Sequence, residues 1–310
     1  MARLEELSRF PLVLWNDSAV ASDMELAVRM GCRGGTTNPP LVLKAAKADQ
    51  RWASRAADLG GELSPRDAAK RLANEIRAAS ARELLPVFEE TEGRDGFLSA
   101  QVDPRNFAEV DDMIEEAEEL SRLAPNVYVK IPAVRTGLEV LQTLLRRGIS
   151  VTWTVSFTLS QVIEAAQLYA GVISEIERGI VPGLNLVLMV GRVDDYLRAL
   201  AEQREMRVPQ SVISQAGVAV AKRAYSELQR RNLPGRLVLA APRGLYHITE
   251  FLEMDAVMTA GIAIRQLAYD SPNPLTPGTA PTDEAMEVLT AEFPEFVQAY
   301  EPHGLSIDDF

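Results

Sequence analysis

Short apolar runs alternate along the chain with longer segments of helical periodicity. The runs are LVLWND (12–17), GGTTNP (34–39), FLSAQV (97–102), VYVKIP (127–132), ISVTWTV (149–155), NLVLMV (185–190), RLVLAA (236–241) and DAVMTA (255–260). Most are rich in Val, Ile or Leu and nearly continuous in apolar character, the mark of parallel strands buried on both faces. The connecting segments read as helices. In 107–123, Val110, Met113, Ile114, Ala117 and Leu120 fall on one face and acids on the other. Leu138, Leu141, Leu144 and Leu145 repeat the pattern in the next connection, which ends at Gly148, a C-cap residue. Eight strands with helical crossovers predict an α/β fold, a (β/α)8 TIM barrel forming a single domain over 1–310. An open doubly wound sheet is the alternative, but no G-x-G-x-x-G follows an early strand. Two stretches exceed the barrel minimum. Residues 44–95 predict two or more helices between the second and third strands. After a Pro-rich loop (271–281), the chain from about 282 predicts one or two more.

Composition narrows the classes of function. The 310 residues are 47% hydrophobic, enough for a sizeable core. A net charge of −12 with no Lys/Arg run argues against nucleic acid or an anionic membrane as partner. A few arginines gathered in a cleft still suffice to hold an anionic small substrate. The single cysteine, Cys32, allows no intrachain disulfide, and His247 and His303 are the only histidines, so no zinc-ligand cluster is expected. The charged N-terminus has no signal-peptide core, and no apolar run reaches ~18 residues. The expectation is a cytoplasmic protein without a metal site.

One position does not fit a purely structural strand. In VYVKIP, Val127, Val129 and Ile131 take one face, and Tyr128 and Lys130 the other. In a barrel, Lys130 points inward near the C-terminal end of its strand, where active sites form. An ordinary lysine amine has a pKa of ~10.4. Burial lowers it, and a neutral amine attacks carbonyls to form a Schiff base. The alternative is a buried lysine paired with an acid for structure. Polar residues close other strands as well: Asp17, Asn38, Gln101 and Thr154, with Arg192 and Arg243 following the sixth and seventh. Catalytic residues drawn from several strand ends are what this fold uses. Each has a plainer reading. Asp17 fits an N-cap for a helix beginning near Ala19, Asn38 a turn residue before Pro39-Pro40, and Thr154 ordinary strand filling.

Taken together, these segments resemble the transaldolase family over most of the chain. LWNDS (14–18) is similar to its first strand with an acid, GGTTNPP (34–40) to its T-T/S-N-P motif, and NVYVKIPA (126–133) to the strand bearing the Schiff-base lysine. SVTWTVSFTLSQ (150–161), VGRVD (190–194) and EFPEFVQAY (292–300) resemble later segments. The resemblance implies that Lys130 forms the Schiff base and that Asp17 takes the proton from the C4 hydroxyl of the sugar. Thr154 would help hold a catalytic water beside Gln101, and Asn38 and Thr36 would bind the three-carbon unit. Arg192 and Arg243 would bind phosphate through their guanidinium forks. It implies transfer of a dihydroxyacetone unit from fructose 6-phosphate or sedoheptulose 7-phosphate to an aldose phosphate, in the pentose phosphate pathway. No metal and no cofactor are implied; sugar phosphates are the partners, and a homodimer is the suggested assembly.

The chain departs from that pattern. The third strand of the family carries a glutamate that acts through a water, whereas Gln101 stands here. An amide hydrogen-bonds but does not exchange protons at neutral pH. Related fructose-6-phosphate aldolases share this glutamine, yet carry a tyrosine where this chain has Met189. Thr152 replaces a strand-five asparagine, and Val187 and Ala241 replace serines. Three readings follow: a transaldolase, an aldolase that releases a free three-carbon ketone, or a weakly active sugar-phosphate-binding relative. Cys32 is assigned to packing, as are Trp15 and Trp153, which alternate toward the helices. His247 is assigned to structure, with a place near the phosphate end as the alternative. Asp194-Asp195 is expected to hold Arg192 by a salt bridge.

Overall fold

A computed structural model describes residues 2–177 and 179–310. Its strands are β1 (Val13–Asp17), β2 (Gly34–Thr36), β3 (Phe97–Gln101), β4 (Val127–Pro132), β5 (Val151–Thr154), β6 (Leu184–Leu188), β7 (Arg236–Leu239) and β8 (Val257–Ala260). They pair in chain order and close into a barrel with helices in the connections, a (β/α)8 fold. Several strands are shorter than their apolar runs. The second stops at Thr36 because Asn38 caps the helix Pro39–Ala48: its side chain accepts the Leu41 N–H at 2.9 Å, and proline occupies the first helical turn. The sixth stops at Leu188 because Val190 already belongs to the helix Val190–Gln203. The chain divides into two compact units, Leu14–Lys130 and the remainder formed by residues up to Val13 with Ile131–Phe310.

In the unit Leu14–Lys130, β1 to β4 run parallel, with Asp17 opposite Thr36, Thr36 opposite Ser99, and Gln101 opposite Lys130. The long β2–β3 connection holds three helices, Pro39–Ala48, Gln50–Glu62 and Pro65–Glu90. Asp49 and Ser64 cap the second and third, each accepting a backbone N–H of the first turn. The third helix buries Ile76, Ala81, Leu84 and Val87, and Ile76 joins Ala19, Val42 and Ala45 in one apolar cluster. Buried Asn126 ties this helix to the entry of β3 by donating to the carbonyls of Ala81 (2.8 Å) and Gly96 (2.7 Å). Trp15 is fully buried and lies against Gly34, where an added Cβ would sit 2.5 Å from the indole ring. The helix read over 107–123 spans Val110–Ser121, burying Met113, Ala117 and Leu120 as the periodicity requires.

In the second unit, β5 to β8 alternate with the helices Leu159–Ser174, Val190–Gln203, Ala216–Arg230 and Leu245–Phe251. The helix Arg135–Arg146 precedes β5 and buries Leu141, Leu144 and Leu145. Gln161 closes a capping box with Thr158. The same amide donates to Ala133 O at 2.8 Å, and Trp153 Nε1 donates to Gln161 O at 3.0 Å. The C-terminal stretch forms the helices Asp283–Glu292 and Pro294–Tyr300 and a short turn at Ile307–Asp309. No helix among the described residues is long and apolar enough to cross a membrane.

Gly191 opens the helix after β6 against the segment following β7. A Cβ there would fall on the Ala241 carbonyl oxygen and crowd Arg243. Since backbone cannot step aside as a flexible side chain can, Gly191→Ala is expected to cost about 1–3 kcal/mol. Calorimetry or urea titration measures this, and an unchanged Tm would show that the contact relaxes freely.

Candidate active site

The lysine lies in the unit Leu14–Lys130. Val127 and Val129 of β4 are buried, while Tyr128 and Lys130 are half-buried on the opposite face. Parallel register places Gln101 beside Lys130, and Asp17 beside Thr36. Lys130 Nζ lies 3.2 Å from Thr36 Oγ1, to which it donates. Desolvation draws the amine down from 10.5 to about 8, and the negative charge of Asp17 opposes that fall without reversing it. The amine therefore has a far larger neutral fraction near physiological pH than an ordinary lysine, and the Thr36 hydroxyl accepts its hydrogen bond.

Asp17 is not a helix cap. The following helix begins at Ala21, not near Ala19, and its N-cap is Val20. Ser18 takes the local work instead, accepting the Val20 N–H and donating to Asp23. Asn38 does serve as a cap, so its side-chain oxygen is engaged locally while its amide group lies on the other side of the fork. Gln101 is positioned by a residue that the sequence did not single out. Buried Arg77, on the helix Pro65–Glu90, donates from Nη2 to the Gln101 carbonyl at 3.0 Å. Burial lowers the Arg77 pKa, and Glu116, whose own carboxyl is raised by burial, supplies opposing charge. Glu116 also accepts the Asp103 N–H at 2.8 Å just past β3. An arginine within an amphipathic helix carries no sequence signal for this task.

The arginines lie in the second unit. Both reach Asp195, on the helix Val190–Gln203. Arg243 donates to both of its oxygens from Nε at 3.0 Å and also from Nη2, while Arg192 Nη1 stands 3.5 Å away. Arg198 Nη1 lies 3.1 Å from the same carboxylate. Three guanidinium groups thus share one acid, leaving local positive charge on a protein whose net charge is −12. The hydrogen bond from Arg243 is the main reason that Asp195 titrates below the usual carboxylate range. The expected partner of Arg192 is therefore present, but Asp195 holds Arg243 more closely, and Asp194 turns elsewhere.

Thr154 is buried at the end of β5, and its carbonyl accepts the Ala133 N–H at 2.6 Å. The next residue, Val155, has φ 61°, and Ala241 after β7 has φ 58°. Left-handed backbone in a β-branched residue is an outlier, and such strain costs about 1–3 kcal/mol per residue where surrounding structure imposes it. Thr152 Oγ1 accepts from Asn185 Nδ2 at 3.3 Å, across the β5–β6 register. An amide thus stands one strand over from the strand-five position where Thr152 replaces an asparagine, within the run NLVLMV. Cys32, Trp15, Trp153 and His247 are all buried.

A parallel (β/α)8 barrel with a partly desolvated lysine at a strand end defines a class of lysine-bearing barrel proteins. The family described as Transaldolase/Fructose-6-phosphate aldolase matches residues 14–306. The chain belongs to this family of enzymes. It is 29% identical to Transaldolase 1 of Streptomyces avermitilis over 78% of this chain and 68% of that protein. Identity to the transaldolase of Neisseria gonorrhoeae is 27%, over 94% of this chain and 80% of that one. The transaldolase of Mycobacterium tuberculosis is 31% identical over 62% of this chain, and the match spans about half of that protein, 54%.

A lysine whose folded pKa lies below its unfolded value is more readily protonated in the unfolded chain. Stability therefore carries the full penalty below pH 8 and recovers as pH rises from about 8 toward 10.5. Lys130→Met removes a penalty of up to roughly 3 kcal/mol. Its Tm should exceed that of the parent at pH 7, with the gap narrowing by pH 10. A gap that is absent at pH 7 or grows with pH would contradict the desolvated amine.

Proposed function

We propose that the protein is a Schiff-base transaldolase whose nucleophile is Lys130. The observation that carries this reading is the lowered amine of Lys130, held by the Thr36 hydroxyl with the Asp17 charge nearby. The neutral amine adds to the C2 carbonyl of a ketose phosphate and expels water, leaving an iminium. Asp17 takes the C4 hydroxyl proton, the C3–C4 bond breaks, and its electron pair flows into the iminium to give an enamine. The aldose phosphate departs. The enamine attacks the aldehyde of an acceptor, and hydrolysis frees Lys130. Asn38 and Thr36 hold the three-carbon unit, Thr154 and Gln101 hold the water, and Arg192 and Arg243 bind phosphate. On this reading the enzyme works in cytoplasmic sugar-phosphate metabolism.

A second reading rests on Gln101. An amide cannot relay the proton that a carboxyl would, so the enamine intermediate turns over differently. Release of free dihydroxyacetone then competes with transfer, as in an aldolase.

Incubation with fructose 6-phosphate followed by borohydride should add a reduced three-carbon or sugar adduct to Lys130, visible by intact and peptide mass. The Lys130→Met variant should take up none and turn over nothing. An adduct on another lysine, or full activity in the variant, would sink the proposal. Gln101→Glu should raise the transfer rate by roughly tenfold or more, since a positioned acid/base contributes about 10²–10⁴ where it acts fully. Free dihydroxyacetone measured without an acceptor aldehyde decides between the two readings.

A further inference from the structure

Arg243 follows a segment with no regular structure, between the end of β7 and the helix Leu245–Phe251. Ala241, two residues earlier, is held in left-handed backbone. A strained turn of this kind persists only when its surroundings over-determine it. Part of that restraint is local, since Arg243 Nη1 donates to Ala241 O at 2.8 Å. The rest comes from a buried network that the phosphate contact itself does not require.

The backbone N–H of Arg243 donates to His247 Nδ1 at 3.0 Å. A backbone amide can only donate, so Nδ1 is an acceptor and the neutral ring carries its proton on Nε2. That nitrogen lies 3.4 Å from Asp194 Oδ2, an electrostatic contact without a hydrogen bond. The same oxygen accepts the Tyr246 hydroxyl at 2.8 Å, and Oδ1 accepts the Gly217 N–H at 2.9 Å. His247 and Asp194 are both fully buried. The imidazole is also packed between the rings of Tyr246 and Phe251, with centroids 4.2 and 6.1 Å away. Burial and the neighbouring Arg243 charge push His247 down to about 3, so it acts as a dipole and not as a cation. Asp194 is raised to about 6 by desolvation.

Asp194 and Asp195 are adjacent on one helix, so their side chains diverge. One lies against His247, which accepts the Arg243 backbone N–H, and the other holds the guanidinium. We propose that His247, held in its buried seat by Tyr246 and Phe251 and set against Asp194, is a positioning residue: it fixes the turn after β7 so that Arg243 meets the substrate's phosphate already ordered. This rests on the phosphate role of Arg243 proposed above.

The test compares His247→Leu, which removes the acceptor, His247→Asn, which keeps one near Nδ1, and Arg243→Met. The Arg243 side-chain Nε–H signal in ¹⁵N NMR reports order directly. The Kd for inorganic phosphate and the KM for fructose 6-phosphate against dihydroxyacetone report its use. In His247→Leu the Nε–H signal should broaden or lose its hydrogen-bonded shift. The phosphate Kd and fructose 6-phosphate KM should rise about tenfold, with kcat and the dihydroxyacetone KM little changed, and His247→Asn should recover most of the loss. A sharp, unshifted signal and unchanged affinity in His247→Leu, while Arg243→Met loses affinity, overturns the positioning role and leaves the phosphate reading standing. Unchanged phosphate affinity in Arg243→Met overturns the phosphate reading, whatever the signal shows. If His247→Leu does not fold, Tyr246→Phe loosens the Asp194 anchor and should move signal and Kd the same way by about two- to threefold; no movement there counts against the proposal.

Discussion

An ammonium ion taken out of water loses ground to the neutral amine, and at the lysine end of this protein desolvation outweighs the opposing charge of Asp17 and draws the amine down to about 8. Lys130 donates to the Thr36 hydroxyl. The nearby Asp17 charge is enough to moderate its basicity and too little to restore it. Had Thr36 been an acid, its charge would favour the protonated amine and raise the pKa again. Everything that keeps β1 to β4 in register serves this balance. A one-residue slip of β4 would turn Lys130 to the helix-facing side and bring Val129 or Ile131 in its place. Buried groups such as Asn126 and Trp15, which hold these strands and their helix together, therefore help to set the amine's surroundings.

Much of the architecture was legible because it rests on periodicity. Eight apolar runs became eight strands in the expected order, and the helix over 107–123 and the leucine face at 138–145 lie where spacing put them. Strand ends were less legible. Apolar character continues from Leu188 through Met189 into Val190, yet helix geometry begins at Val190, and hydrophobicity alone does not mark where extended backbone becomes helical. The face carrying Lys130 followed from alternation. The resemblance supplied roles but not partners: that Thr36 contacts the amine, and that Asp195 prefers Arg243 to Arg192, depend on register and rotamer.

Other partners were hidden for a physical reason. Arg77, Glu116 and Asp194 are charged residues on amphipathic helices, where sequence assigns charge to solvent. Each is instead buried and engaged with backbone. His247 was assigned to structure and is structural, but what it supports is the turn that carries Arg243. Val155 and Ala241 left no trace, since no residue preference points to left-handed backbone at valine.

The tether between Arg77 and Gln101 has a further meaning. Arg77 grips the carbonyl at residue 101 and ignores the side chain. The end of β3 would keep its place if that side chain were exchanged between amide and acid, which are nearly the same size. Fixing the main chain from behind makes position 101 a socket into which either group can be fitted. A lineage could pass between proton-relaying and non-relaying chemistry by a single edit, in either direction, without first rebuilding the strand that presents it.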